Sequence, residues 1–458
     1  MIRITNTLTG KKEEFIPQKE GEVRIYVCGP TVYNFVHLGN SRPAITFDAF
    51  RRYLEYRGYK VILTQNFTDI DDKIIVKAIE EGVNATEIAE RYIVQYWKDS
   101  MALGIRPANF HPRTTHYVDE IIEFIQDLIA KGYAYVADGD VYFDVSAFDD
   151  YGRLSGRKLE ELIVGARIQP GEKKKSPEDF ALWKAAKENE PYWESPWGKG
   201  RPGWHIECSV MSTCILGETF DIHAGGSDLI FPHHENERAQ SEARYGKTFA
   251  RYWMHNGMMR FAGSKMSKSL GNFITIKEAV RKYGKDAVRY FIFSKHYRSP
   301  IDYSEEMLQE TKTAVSRGNK ILNDFEANLD ESHPFARKSP WMEEKIAEFT
   351  EYLDDDFNTP KALSLIFELI NEIVNSTDEQ RKFEAYHLVR NEFGPVLGLF
   401  DIPESQSFDL DGLVQILIDL RGQFRKEKNF EKSDEIRDRL MNLGIKLMDT
   451  PEGTKWTL

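Results

Sequence analysis

The first clear hydrophobic pattern is the run Val23, Ile25, Tyr26 and Val27, which stops at Cys28-Gly29-Pro30. An apolar run closed by glycine and proline predicts a strand that ends at a turn. Phe47, Phe50 and Leu54 then recur at helical spacing up to Gly58, with Ser41 able to cap and Pro43 suited to the first turn. Val61-Ile62-Leu63 predicts a second buried strand, followed by the polar turn Asn66 to Asp69. Strand, helix and strand at this length form a βαβ unit of an open α/β sheet, which places Cys28 where such sheets carry their ligands.

From about 109 to 202 the pattern changes. It predicts a helix from Val118 to Lys131, an alternating strand from Val141 to Val145 and the polar stretch QPGEKKKSPEDF. This reads as an insertion between two halves of a nucleotide fold. The α/β pattern resumes with a strand at Phe220-Asp221-Ile222-His223, a tight turn from Ala224 to Asp228 and a helix opened by Pro232. After Tyr303 the spacing turns helical, as in the stripe Ala362, Leu365, Ile366, Leu369, Ile370 and Ile373. The C-terminal stretch predicts a charged amphipathic helix from Ile418 to Lys428, a second from Lys432 to Leu443 and a short strand from Ile445 to Met448.

Composition narrows the class. The chain has 458 residues, 41% hydrophobic and 29% charged, as expected of a multidomain globular protein. No apolar run approaches a membrane span, and MIRITNTLTGKKEEF lacks the core of a secretion signal, so a cytoplasmic protein is expected. Three cysteines do not make a disulfide framework; they fit free or metal-binding thiols. A net charge of −12 argues against wholesale wrapping of nucleic acid and leaves local basic faces open to it.

Cys28, Cys208, His233 and Glu237 form a candidate ligand set that only a large fold could assemble. His233 and Glu237 stand at i and i+4, so one helical face carries both. The alternative is a set of buried thiols beside a hydrogen-bonded His233-His234 pair. His37-Leu38-Gly39-Asn40, just before a helix, would let polar side chains and backbone approach a phosphate. Lys265-Met266-Ser267-Lys268, on a loop from Gly263 to Gly271, offers paired charges for a triphosphate, or a solvated basic turn. Gly225-Gly226-Ser227-Asp228 is a strand-ending turn or an acceptor for ribose or ammonium, and Trp204 a core aromatic or a ligand wall. Arg421, Arg425, Lys426, Lys428 and Lys432, with Phe424, Phe430 and Trp456, suit stacking and basic contacts to single-stranded RNA; the alternative is a solvated helix balanced by Glu427, Glu431 and Asp434.

In order along the chain these pieces resemble a known family. CGPTVYNFVHLGN resembles the first signature of class I aminoacyl-tRNA synthetases and GSKMSKSLGN the second. NFTDIDDKI, GWHIECS and HAGGSDLIFPHHENE narrow the resemblance to cysteinyl-tRNA synthetases, and DDDFNTPKAL and DTPEGTKW extend it over nearly the whole chain. The resemblance implies an α/β fold: a Rossmann-type, parallel-sheet class I catalytic domain over 1–308, with a connective insertion at about 109–202 and a signature loop at 263–271. A helical anticodon-binding bundle over 309–398 and a small C-terminal α/β domain over 399–458 would follow. It implies a monomer that activates L-cysteine with ATP to cysteinyl adenylate and passes it to the terminal adenosine of tRNA(Cys). One Zn2+ would be held by Cys28, Cys208, His233 and Glu237, selecting the substrate thiolate over the serine hydroxyl, and Mg2+ would accompany ATP. His37, Asn40, Lys265 and Lys268 would be catalytic and, with Asp228, bind ATP; Thr31, Thr68, Trp204 and Asp228 would wall the cysteine. Position 40 departs from the signature, which often ends in a second histidine; Asn40 keeps a donor and loses the possible charge. Two rival readings share the core: the cysteine ligase of mycothiol biosynthesis, expected to lack a full anticodon-reading end, and a non-catalytic RNA-binding relative, expected to lose a signature or a ligand.

Overall fold

The computed structural model describes residues 1–157, 173–188, 190–261, 264–265, 274–329, 339–400, 410–426, 429–442, 445–450 and 453–457. The chain divides into two units, Met1–Phe400 and Asp401–Leu458.

The first unit is built on a four-stranded parallel sheet in the order Ala250–Asn256, Phe220–Gly226, Glu22–Val27, Lys60–Gln65. The strand Glu22–Val27 has no exposed position, as a strand covered on both faces requires. It pairs with Lys60–Gln65 on one side and, from Ile25↔Ile222 to Val27↔Ala224, with Phe220–Gly226 on the other. The helix Leu38–Tyr56 makes the first crossover and buries Phe47, Phe50 and Leu54, the expected stripe. The first crossover leads to one side of Glu22–Val27 and the later strands add on the other. The two halves therefore part between Val27 and Ala224, the switch point at which open α/β sheets bind ligands beyond their carboxyl ends.

The polar turn after Lys60–Gln65 leads into two helices, Asp72–Glu81 and Ala85–Ala102, and the segment expected as an insertion follows them. That segment carries the helix Val118–Ala130 and an antiparallel sheet of Ala134–Ala137, Asp140–Phe143, Phe180–Ala185 and Gly200–Pro202. Its own core includes Ile121, Phe124, Leu128, Phe143, Leu182 and Trp183. Residues 158–172, with the start of the polar stretch, lie outside the described residues. Beyond the parallel sheet, Met259–Phe261 pairs in parallel with Ile301–Tyr303 and antiparallel with Ser264–Lys265. The helices Glu305–Glu326, Pro340–Asp354, Thr359–Asn375 and Glu379–His387 follow, and the predicted stripe from Ala362 to Ile373 is buried.

Among the boundaries that differ from the sequence reading, three bear on the cavity, while the strand expected at Val141 to Val145 is Asp140–Phe143 and the helix expected from Ile418 starts at Leu410. The first helix starts at Leu38 and its cap is His37, whose side chain accepts the Asn40 amide; Ser41 is already inside and bonds back to the Leu38 carbonyl. The strand from Phe220 continues through Ala224, Gly225 and Gly226, so the turn begins at Ser227. The helix expected from Pro232 starts at Glu235, because Phe231 has extended backbone angles.

The second unit packs the helices Leu410–Lys426 and Phe430–Asn442 beside a hairpin, Lys446–Thr450 and Gly453–Thr457. Val414, Ile418, Leu440 and Ile445 form its core. The second hairpin strand was not expected from the sequence.

Candidate active site

A cavity of about 440 Å³ opens at the carboxyl ends of the parallel strands. Cys28, Thr31, Trp204, Asp228, His37 and Asn40 all line it. Thr68 does not. It is 2% exposed and its hydroxyl donates to Glu207 Oε2 at 3.1 Å, an oxygen that also accepts from Thr114 at 2.9 Å. Thr68 therefore stands behind the lining residues, bridged through its backbone to Thr31. Trp204 is no core aromatic: it is 40% exposed and stacks on His233 with ring centroids 4.3 Å apart.

At one end of the cavity the expected ligands converge. Cys28 follows the central strand, Cys208 lies on the helix Trp204–Leu216, and His233 and Glu237 flank the start of the helix Glu235–Tyr245. The ligating atoms of these four residues all lie within 4.8 Å of one another. The two sulfurs are 3.9 Å apart, Cys28 Sγ is 3.5 Å from Glu237 Oε1, and His233 Nε2 is 3.0 Å from the same oxygen. Two sulfurs each about 2.3 Å from one tetrahedral ion would be separated by roughly 3.8 Å, so the residues fit Zn2+. Cys28, His223, His234 and Glu237 also meet the distance condition. The two sets share Cys28 and Glu237, so they describe one site.

Protonation is arranged around these four groups. The hydrogen bond from Cys28 leads the influences that lower the Cys208 thiol to about 6, against the effect of burial. Burial raises the Cys28 thiol well above its usual range. Burial alone would lower His233; the Glu237 carboxylate and Cys208 overcome it and raise His233 to about 10. Burial would raise Glu237, but His223 and His233 hold it down at about 2.

A second layer supports the ligands. His223 Nε2 stands 2.8 Å from Glu237 Oε2, and His205 Nδ1 is 2.9 Å from His233 Nδ1. A file of groups runs from Thr7 Oγ1 to His255 Nδ1 (2.8 Å), from His255 Nε2 to His234 Nδ1 (2.8 Å) and from His234 Nε2 to Cys28 Sγ (3.2 Å). Burial lowers both histidines, His255 to about 3, so each is neutral with one donor and one acceptor. The file is therefore polarised in a single sense, and toward the sulfur when Cys28 is a thiolate. The sequence reading missed His223, His255 and Glu207. For His223 and His255 the available signal was a histidine within each of two largely apolar strand segments, FDIHA and YWMHN; for Glu207 there was none.

At the other end of the cavity, His37 caps the helix Leu38–Tyr56 and Asn40 lies in its first turn. His37 Nδ1 accepts the Asn40 amide at 3.3 Å, which leaves the ring proton on Nε2 when the ring is neutral. Lys265 ends the short strand Ser264–Lys265. Lys268 and the rest of the loop lie outside the described residues.

Comparison with known proteins places this arrangement. Residues 14–313 match the family described as tRNA synthetases class I (C) catalytic domain. The chain is 59% identical to the cysteine–tRNA ligase of Thermotoga maritima over the full length of both proteins. The chain belongs to the cysteinyl-tRNA synthetase family. The family assignment extends to the cysteine–tRNA ligase of Thermosipho africanus, 56% identical over all of this chain and 98% of that one. Residues 348–401 match a DALR domain. Among solved structures, Mycobacterium tuberculosis methionyl-tRNA synthetase in complex with methionyl-adenylate shares the fold with a TM-score of 0.59 at 16% identity, covering 82% of this chain and 89% of that one. These relatives are named cysteine–tRNA ligases along their whole lengths, which sets aside the mycothiol and non-catalytic readings.

No helix among the described residues is long and apolar enough to cross a membrane. In the small C-terminal unit, Arg421 is not an RNA-facing residue as expected. It is 3% exposed and forks onto Asp449, with both bonds at 2.9 Å. Arg425 also pairs with Asp449, at 3.0 Å, and Lys432 stands over the Phe424 ring. Lys428 lies outside the described residues.

Proposed function

We propose that this protein activates L-cysteine with ATP and transfers the cysteinyl group to tRNA(Cys) in the cytoplasm. The observation that carries the reading is the convergence of Cys28, Cys208, His233 and Glu237 at one end of a cavity whose other end holds His37 and Asn40.

Cys28, Cys208, His233 and Glu237 would hold Zn2+, favoured over the His223/His234 set because two thiolates suit that ion. Zinc there would keep the substrate sulfur as thiolate, a bond the serine hydroxyl does not match. The residues supply the rest. Trp204 closes the side of the cavity against His233, and Asp228 offers a carboxylate to the ammonium or ribose. Thr31 lines the wall, and Glu207 orients Thr68 behind it.

In the first step a carboxylate oxygen of cysteine bonds to the α-phosphorus of ATP and pyrophosphate leaves. The work is positioning and charge stabilisation. His37 Nε2–H, the Asn40 amide group and the start of the helix Leu38–Tyr56 face the phosphates with donors. Lys265 and Lys268 stabilise the departing pyrophosphate, with Mg2+ accompanying the nucleotide. In the second step the 2′-hydroxyl of the terminal adenosine attacks the acyl carbon and AMP leaves. The helices beyond Tyr303 and the unit from Asp401 would read the anticodon, with Lys426 and Lys432 among the basic contacts.

The direct test is charging of purified tRNA(Cys) with labelled cysteine, run beside ATP–pyrophosphate exchange. Cysteine-dependent exchange with charging supports the reading. Exchange with acylation of an amino sugar in place of tRNA would overturn it, as would absence of exchange.

A further inference from the structure

Arg42 lies on the helix Leu38–Tyr56 and is 0% exposed. Its guanidinium donates to the carbonyls of Gly257 and Met258 through one nitrogen, and to those of His296 (3.3 Å) and Ser299 (2.7 Å) through the other. No carboxylate pairs with it among the described residues, Nε has no partner, and burial lowers the group to about 10. Burying an unpaired cation is costly, and a methionine of similar length would fill the space without that cost. A charge kept there under those terms is explained by geometry: only a planar fork reaches several carbonyls at once.

Those carbonyls matter because of where they stand. One side of the cavity is Gly39, Asn40, Pro43 and Ala44, on the same helix as Arg42; an adjoining side is Asn256, Gly257, Met258 and Met259, where a Cβ on Gly39 would lie 3.6 Å from Met259 Cβ. Arg42 reaches from the first side to the backbone of the second. The second side is pinned as well: Gly257 N donates to Tyr297 O at 2.8 Å, and a Cβ on Gly257 would fall 2.4 Å from the Ser299 carbonyl. The helix start, the adjoining segment and residues 296–299 are thus one knot with Arg42 at its centre.

We propose that Arg42 is a positioning residue for the nucleotide, fixing how the start of the His37-capped helix sits against the segment Asn256–Met259. The assignment rests on the proposed function, which puts ATP at this end. Cys28, Thr31, Trp204 and Asp228 ride on segments that Arg42 does not bond, and reach Gly257 only through the Asn256–Gly226 pairing and the His255–His234 file, so the effect is expected chiefly at the ATP end.

The test is ATP–pyrophosphate exchange with the zinc-loaded full chain carrying Arg42→Met or Arg42→Lys, with KM measured for each substrate. Arg42→Met is expected to raise KM for ATP by about tenfold or more and to leave KM for cysteine within about twofold. Arg42→Lys is expected to fall between, since an ammonium reaches some of the carbonyls without the fork. An unchanged KM for ATP overturns the assignment, and so does a parallel rise in both KM values, which marks general loosening. Should Arg42→Met not accumulate as folded protein, Arg42→Lys decides by the same two comparisons. A wild-type chain without cysteine-dependent exchange overturns the functional reading first, and this assignment with it.

Discussion

Asp48 and Arg289 face each other at 2.9 Å with side-chain exposures of 2% and 0%. The pair joins the helix that begins after His37 to the helix Lys285–Phe293, which follows the signature loop. Arg289 also donates to the carbonyls of Leu397 (2.8 Å) and Leu103 (3.2 Å), and Arg52 adds a second cation to Asp48 at 3.1 Å. One buried network therefore holds the His37-capped helix against the elements behind it.

Removing one member of such a pair leaves the other charged and dry. Asp48→Ala is expected to lower unfolding free energy by about 3–5 kcal/mol at neutral pH, read by urea denaturation. Burial would raise the Asp48 carboxyl, but Arg289 and Arg52 outweigh it and hold it below its ordinary value. Its stabilising contribution is thus present above the unfolded pKa of about 3.9 and is lost as pH falls through the lower folded value. The gap between wild type and Asp48→Asn should close in acid; a gap that widens there would contradict the pairing.

Cys208→Ser is expected to lose most bound zinc and to weaken cysteine binding by about tenfold or more, with ATP binding little changed. Metal analysis and calorimetry read both. Zinc content and cysteine affinity equal to wild type would remove Cys208 from the ligand set.

Under the proposed function Lys268 stabilises the leaving pyrophosphate, so Lys268→Ala is expected to slow adenylate formation by about 10²–10³-fold while cysteine affinity holds. Single-turnover quench measures the rate. Equal losses in rate and cysteine affinity would contradict a role confined to the transition state.

In the C-terminal unit, Arg421 and Lys432 should separate. Arg421→Ala removes the buried fork to Asp449 and is expected to destabilise that unit. Lys432→Glu, at an exposed position, is expected to raise KM for tRNA and leave pyrophosphate exchange unaltered. Charging assays with limiting tRNA distinguish them.

Much of this was legible because local patterns carried it. Cys28 announced itself by ending an apolar run, and the spacing of His233 and Glu237 put them together before any fold was known. What escaped depended on contacts between distant segments. Arg421 reads as one more charge on an amphipathic helix until Asp449 folds onto it. Gly225 and Gly226 read as a turn, yet they continue the strand: a Cβ on Gly225 would lie 2.9 Å from the His234 ring, so the glycine makes room for the file that ends at Cys28. Thr68 is read as substrate wall from the family resemblance alone; that its hydroxyl bonds to Glu207 is a long-range contact the local sequence does not reveal.

The account depends on sulfur recognition at the Cys28/Cys208/His233/Glu237 cluster. The most direct measurement is cysteine- and serine-dependent pyrophosphate exchange on the same preparation, before and after chelation, with zinc quantified in each. About one zinc per chain, strong preference for cysteine, and loss of that preference together with the metal are expected. A metal-free protein that still activates cysteine and rejects serine would contradict it.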